Sequence, residues 1–333
     1  MKPSIRDRNV SKKISIAIFL SILTSSAGCS TNENFENTPR QGRQCKKTQA
    51  SLNIVNGSQS SDSGVKKILI FNSKGEFADR CTGVFVSSTT MLTAAHCVLN
   101  NELGGRATRM VLEDTNESST DMIVHDQYTL PEGFVGLLKN GLDVAKASNS
   151  QFDLALVKFA PAARQIFKIG APGKTGDTVT MIGYGDTEAV TTQVRAKYRG
   201  MPPAEREAYI RKVFTQKSGQ SSIAEVQSTG YFFLAPGKLG GRAFAAFGDS
   251  GGPLLNTNRN VIGVTSCGQP SNLLAGAQSD ILTGEWRPVY TDLNSPASRK
   301  FIESHLKGEN IDEAHQEPSK KPNPDSEKNN VGC

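Results

Sequence analysis

Phe247-Gly248-Asp249-Ser250-Gly251-Gly252-Pro253 is the stretch on which the reading of this chain turns. Ser250 stands among glycines, which adopt backbone angles that other residues avoid and let a ligand approach the main chain closely. The run describes a tight turn with an exposed hydroxyl. It also aims the amides of Gly248 and Ser250 at one spot, where negative charge on a reacting oxygen would be stabilised. A serine hydroxyl is a weak nucleophile by itself. It needs a base, and the base needs a group to orient it.

The rest of the chain offers one candidate for each role. Its four histidines are His96, His125, His305 and His315. His305 lies in a helical pattern and His315 in a polar stretch, whereas His96 follows Leu92-Thr93-Ala94-Ala95, where small residues let backbones pack beside an imidazole. His96 is the expected base. Asp153 opens the apolar run Leu154-Ala155-Leu156-Val157. A carboxylate there must be paired or solvated, and accepting the Nδ1 proton of His96 would do the pairing.

With the order His, Asp, Ser in place, the chain resembles the chymotrypsin/trypsin-like serine protease family from about residue 54 to residue 306. The resemblance rests on Thr93-Ala94-Ala95-His96-Cys97, on Asp153-Leu154-Ala155-Leu156 and on Gly248-Asp249-Ser250-Gly251-Gly252-Pro253. Met181-Ile182-Gly183-Tyr184-Gly185 and Val261-Ile262-Gly263-Val264-Thr265-Ser266 are similar to two further strands of the family. The resemblance implies an all-β fold of two six-stranded antiparallel β-barrels with a C-terminal helix. It also implies a His96–Asp153–Ser250 triad, an oxyanion hole from Gly248 and Ser250, and a Cys81–Cys97 disulfide. Ser266 would bond Asp153 from behind, and Gly268 would offer its backbone to an extended substrate.

The resemblance also implies activation. Ile54-Val55-Asn56-Gly57 matches the family's new N-terminus, whose freed amine pairs with the acid before the nucleophile, here Asp249. The sequence offers Asp249 no other evident partner. The chain departs from the family at several places. Asn53 precedes Ile54 where Arg or Lys is usual, and Phe244 stands where a trypsin has its pocket aspartate. Cys267 replaces the usual tryptophan, and Pro288 replaces a wall glycine, with an insertion expected over residues 272–285. The expected pocket, lined by Phe244, Ser266, Gly268 and Pro288, is narrow or apolar and prefers small or uncharged side chains over Arg or Lys.

Cysteine usage and the N-terminus point to an oxidising compartment. A bridge between Cys81 and Cys97 closes a loop worth about 3 kcal/mol. Cys45, Cys267 and Cys333 allow three pairings, each leaving one thiol. No Cys-x-x-Cys or His/Cys cluster calls for a metal, and no cofactor is expected. Lys2, Arg6, Arg8, Lys12 and Lys13 precede the apolar stretch Ile14 to Leu23, the pattern of an export signal over residues 1–28. Ala27-Gly28-Cys29 resembles a bacterial lipoprotein box with Cys29 as lipidated residue, which attaches the protein to the outer membrane or leaves it in the periplasm. Cleavage after Ala27 and secretion is the alternative.

Residues 29–53 read as a tether or propeptide, 54–306 as the protease domain and 307–333 as a disordered polar tail. The formal charge of +6 is concentrated before residue 54, so the processed chain is near neutral and has no electrostatic footprint for nucleic acid. Protein or peptide substrates and a monomer are expected. Two helices are predicted, Pro203 to Phe214 and Pro296 to Leu306. The first either decorates a long loop or borders the cleft. Two other functions use the same motifs: a binding lipoprotein on a protease scaffold, and an esterase.

Overall fold

The computed structural model describes residues 54–100, 105–130, 149–162, 164–186, 198, 200–238, 240–270 and 285–306. The expected signal, the tether with Cys29 and Cys45, the tail with Cys333 and nearly all of the expected 272–285 insertion lie outside these residues. The strands of the first half are β1 (Ser58–Gln59), β2 (Val65–Phe71), β3 (Phe77–Phe85), β4 (Thr90–Thr93), β5 (Leu99–Asn100), β6 (Gly105–Arg106), β7 (Arg109–Leu112), β8 (Ser118–Ser119), β9 (Met122–Val124) and β10 (Ala155–Lys158). Those of the second half are β11 (Thr178–Gly183), β12 (Lys217–Gln227), β13 (Tyr231–Leu234), β14 (Pro253–Leu255), β15 (Val261–Pro270) and β16 (Trp286–Asp292). Helix α1 spans Pro203–Val213 and helix α2 Pro296–His305.

Fourteen of these strands form two seven-stranded antiparallel sheets, and β5 and β6 pair with each other as a separate two-stranded sheet. The N-terminal sheet runs β8-β7-β2-β3-β4-β10-β9. The C-terminal one runs β1-β12-β11-β14-β15-β16-β13, and β13 also pairs with β12. That last pairing closes a ring of six strands, with the two-residue β1 added outside it. The all-β expectation of two barrel-like sheets therefore holds. The extra strand in each sheet is accounted for by two-residue additions, β1 and β8.

The continuous apolar run of β2 has a physical cause in burial on both faces. Ile68 and Ile70 point into the main core with Val84, Leu92, Met110 and Leu156. Leu69 and Phe71 point the other way, where Ile210, Phe214, Phe77 and Val111 cover them. Helix α1 thus lies on the outer face of the N-terminal sheet. Its last carbonyls, of Ile210 and Arg211, accept hydrogen bonds from Nζ of the buried Lys67, at 3.3 and 3.2 Å. Burial, offset in part by Glu113, lowers the Lys67 pKa to about 8. Helix α2 begins at Ser295, whose hydroxyl accepts the Ser298 amide, with Pro296 in the first turn. It buries Phe301 and Ile302 in the main core, which joins side chains of both sheets.

Candidate active site

Strand pairing delivers the first two candidate residues. Ala155 of β10 stands opposite Thr93 of β4. Continuing that antiparallel register sets Asp153 beside the turn Ala95–Cys97, which carries His96. Asp153 is buried. Its Oδ1 accepts the His96 backbone amide at 2.8 Å, and its Oδ2 accepts Nδ1–H of His96 at 2.7 Å. The Ser266 hydroxyl donates to the same Oδ2 at 2.6 Å. Thr291 Oγ1 donates to the carbonyls of Ser150 and Asp153, at 2.7 and 3.1 Å, and holds the bend that turns Asp153 inward.

These bonds fix one tautomer and leave Nε2 of His96 on the free side of the ring, whose side chain is 25% exposed. Burial pushes the imidazole pKa down. The Asp153 carboxylate and its hydrogen bond outweigh that and hold it above the ordinary 6.5.

The third residue is carried by the loop between β13 and β14. The Thr82 amide donates to the Ser250 carbonyl at 2.8 Å, and the Gly251 amide to the Thr265 carbonyl at 2.8 Å. Gly251 has φ +81°, and a Cβ there would collide with Thr93 Oγ1 and the Thr82 carbonyl. The Ser250 loop is therefore pressed onto the strand end that leads into His96, which is why only glycine serves at 251. The Cys97 sulfur lies 3.8 Å from the Ser250 carbonyl oxygen. Among the described residues no hydrogen bond joins the Ser250 hydroxyl to the His96 ring. Such contacts are commonly long before substrate binds.

Cys81 and Cys97 form a disulfide with Cα atoms 6.3 Å apart, tying β3 to the His96 turn. Cys81, His96 and Cys97 bring potential ligand atoms within 4.8 Å of one another. Both sulfurs are in the bridge, however, and a metal binds thiolates.

Gly248 has φ +96°, again a glycine conformation. The amides of Gly248 and Ser250 donate to no acceptor among the described residues. Asp249 differs from the expectation that it lacks partners. It is buried, and its carboxylate accepts the Gly185 amide at 2.7 Å and the Ala246 amide at 2.8 Å. Burial still pushes its pKa up to about 7, against those two bonds and the nearby Arg80 charge. Ile54 is buried among Met181, Ala243 and Ala245, and Val55 exchanges backbone bonds with Phe244 at 3.0 and 3.2 Å. No hydrogen bond or ion pair joins residue 54 to Asp249 among the described residues.

Phe244 is fully buried in a cluster with Val55 and Trp286, against which Ala246 and Phe247 pack. Gly268 pairs with Pro288 across β15 and β16. The Trp286 indole lies directly against Gly268, in the space that a Cβ would enter. It fills the gap between the 244–247 segment and the 266–268 strand. The sequence reading missed this residue, the chain's one tryptophan.

The family model described as Trypsin matches residues 54–277. That is more than half of the chain, and the chain belongs to the trypsin family, as a serine peptidase domain. No curated protein matches. Solved structures similar to it include a Glu endopeptidase in complex with MPD, at 16% identity and TM-score 0.47, covering 76% of this chain and 98% of that one. A structure of GrC is 19% identical with TM-score 0.47, covering 76% of this chain and 100% of that chain. An HL collagenase structure is 15% identical with TM-score 0.48, covering 76% and 98%.

Proposed function

We propose that this protein is a serine endopeptidase acting through an acyl-enzyme. Ser250 attacks the scissile carbonyl, and Nε2 of His96 takes the serine proton and returns it to the leaving amine. Asp153 orients the ring and stabilises its charged form. The amides of Gly248 and Ser250 receive the oxyanion. One observation carries the reading: a buried carboxylate accepts both the ring and the backbone N–H of His96, on the strand end against which the Ser250 loop packs.

Cleavage before Ile54 belongs to the same proposal. Asp249, whose pKa burial raises to about 7, is under-compensated by amides alone, and a new ammonium group in the Ile54 segment would stabilise its charge. Export from the cytoplasm, with lipidation at Cys29, is likewise proposed. Disulfides such as Cys81–Cys97 persist in oxidising compartments.

The test is labelling with an active-site fluorophosphonate, followed by assays on casein and on small esters. Labelling with casein cleavage, both lost in Ser250→Ala, is the expected result. Ester turnover alone would make the protein an esterase, and an unlabelled protein would be a binding module.

The pocket reading follows from Trp286. With the indole against Gly268 and Phe244 beneath, the proposed preference is for small, uncharged side chains at the scissile residue. Trp286→Ala should raise kcat/KM for Leu or Phe there, relative to Ala, by about 10- to 100-fold. A fluorogenic peptide panel that varies only that residue measures this. An unchanged profile would remove Trp286 from specificity.

A further inference from the structure

Arg80, the last residue before the Cys81 bridge, is almost fully buried, with a side chain 2% exposed. Nothing in the triad uses it. Its Nη2 donates to Asp186 Oδ1 at 2.6 Å and to the Phe247 carbonyl at 3.3 Å, and its Nε donates to the Tyr184 carbonyl at 3.4 Å. The Phe214 ring, at the end of α1, lies 3.6 Å from the guanidinium carbon, and Tyr198 donates its hydroxyl to Asp186 at 3.3 Å. The guanidinium also presses on Gly248, since a Cβ there would sit 2.8 Å from Nε.

These contacts bear on a particular peptide bond. In a trans peptide the carbonyl and the following N–H point in opposite directions. The Phe247 carbonyl is held on one side by the Asp186 amide at 2.7 Å and by Arg80. The Gly248 N–H must then face the other side, where it has no acceptor among the described residues. The next carbonyl, of Gly248, is fixed by the Thr82 hydroxyl at 2.9 Å. A rotated 247–248 peptide would turn a carbonyl, rather than an N–H, toward the reacting oxygen.

We infer that Arg80, clamped by Asp186 and Phe214, is a positioning residue that sets the 247–248 peptide and so aims the Gly248 oxyanion donor. This rests on the protease reading. It adds that α1 and its flanks, which lie on the outer face of the N-terminal sheet, act on catalysis through the Phe214–Arg80 contact. It also means that the unprocessed chain already holds this peptide, and cleavage before Ile54 adds a second cation to a segment in place. A lysine would keep the charge but cannot meet Tyr184, Asp186, Phe247 and Phe214 at once.

The test compares wild type, Arg80→Lys and the neutral pair Arg80→Met with Asp186→Asn, which removes both partners of the Arg80–Asp186 ion pair together. Active sites are counted by fluorophosphonate titration, and kcat per titrated site and KM are measured on one peptide. The expected result is a fall of about 100-fold in kcat for both variants, with KM within about 2-fold. Affinity for a peptide boronate should fall in parallel with kcat. A lower melting temperature with kcat per titrated site within about 2-fold of wild type would overturn the inference. Should either variant fail to fold, Phe214→Leu keeps the ion pair and strips the ring. A fall of about 10-fold in kcat is then expected, and an unchanged kcat overturns the inference. A wild type that takes up no fluorophosphonate would instead refute the protease reading itself.

Discussion

Replacing Ser250 by alanine should lower kcat for peptide hydrolysis by about a million-fold, while the melting temperature stays close to wild type. The size follows from the proposed role. Without the hydroxyl no acyl-enzyme forms, and His96 and Asp153 have nothing to activate, so only the amide donors and binding remain. The small structural effect follows from the contacts. What locks the loop is main chain, through Thr82 to the Ser250 carbonyl and Gly251 to the Thr265 carbonyl. A residual rate within about 100-fold of wild type, on protein free of contaminating protease, would show that another group attacks.

Asp153→Asn should lower kcat by about ten-thousand-fold. Asp153 accepts from His96 Nδ1, from the His96 amide and from Ser266. An amide in its place presents an NH₂ group to one of these donors, which favours the tautomer with its proton on Nε2 and removes the lone pair that the serine needs. The pH profile separates this from simple damage. His96 must be neutral to act, so the rate falls as pH drops through its pKa. In wild type that limb lies above 6.5, because Asp153 raises the pKa against the effect of burial. In Asp153→Asn the main raising influence is gone, with only the Asp79 charge left against burial, so the limb should move to lower pH. A limb that stayed in place in the variant would mean that a different group is being titrated.

Much of this arrangement was legible in the chain because the chemistry demands particular residue types. His96 and Asp153 stand out in short local patterns and Ser266 through the family resemblance, and the three share one hydrogen-bonded cluster. Helix α1 is legible from the prolines at its start and its dipole-matched charges, and α2 from its resemblance to the family's C-terminal helix, each to within a residue at either end. Other features left no local mark. Asp249 takes its hydrogen bonds from the backbone amides of Gly185 and Ala246, and no side-chain pattern announces such donors. Arg80 looks in sequence like a surface cation beside a cysteine. Its burial depends on Phe214 and Asp186, both more than 100 positions away in sequence. Trp286 meets Gly268 only through the β15–β16 pairing, and the register of that pair is interrupted by a bulge between Thr265 and Cys267.

The two-faced burial of β2 limits how far this domain can be trimmed. Cutting out α1 to reach a smaller catalytic unit would lay bare Leu69, Phe71 and Val111 side by side. A contiguous greasy patch of that kind invites self-association. The segment that looks most dispensable along the chain is therefore the one whose loss would first cost the protein its solubility.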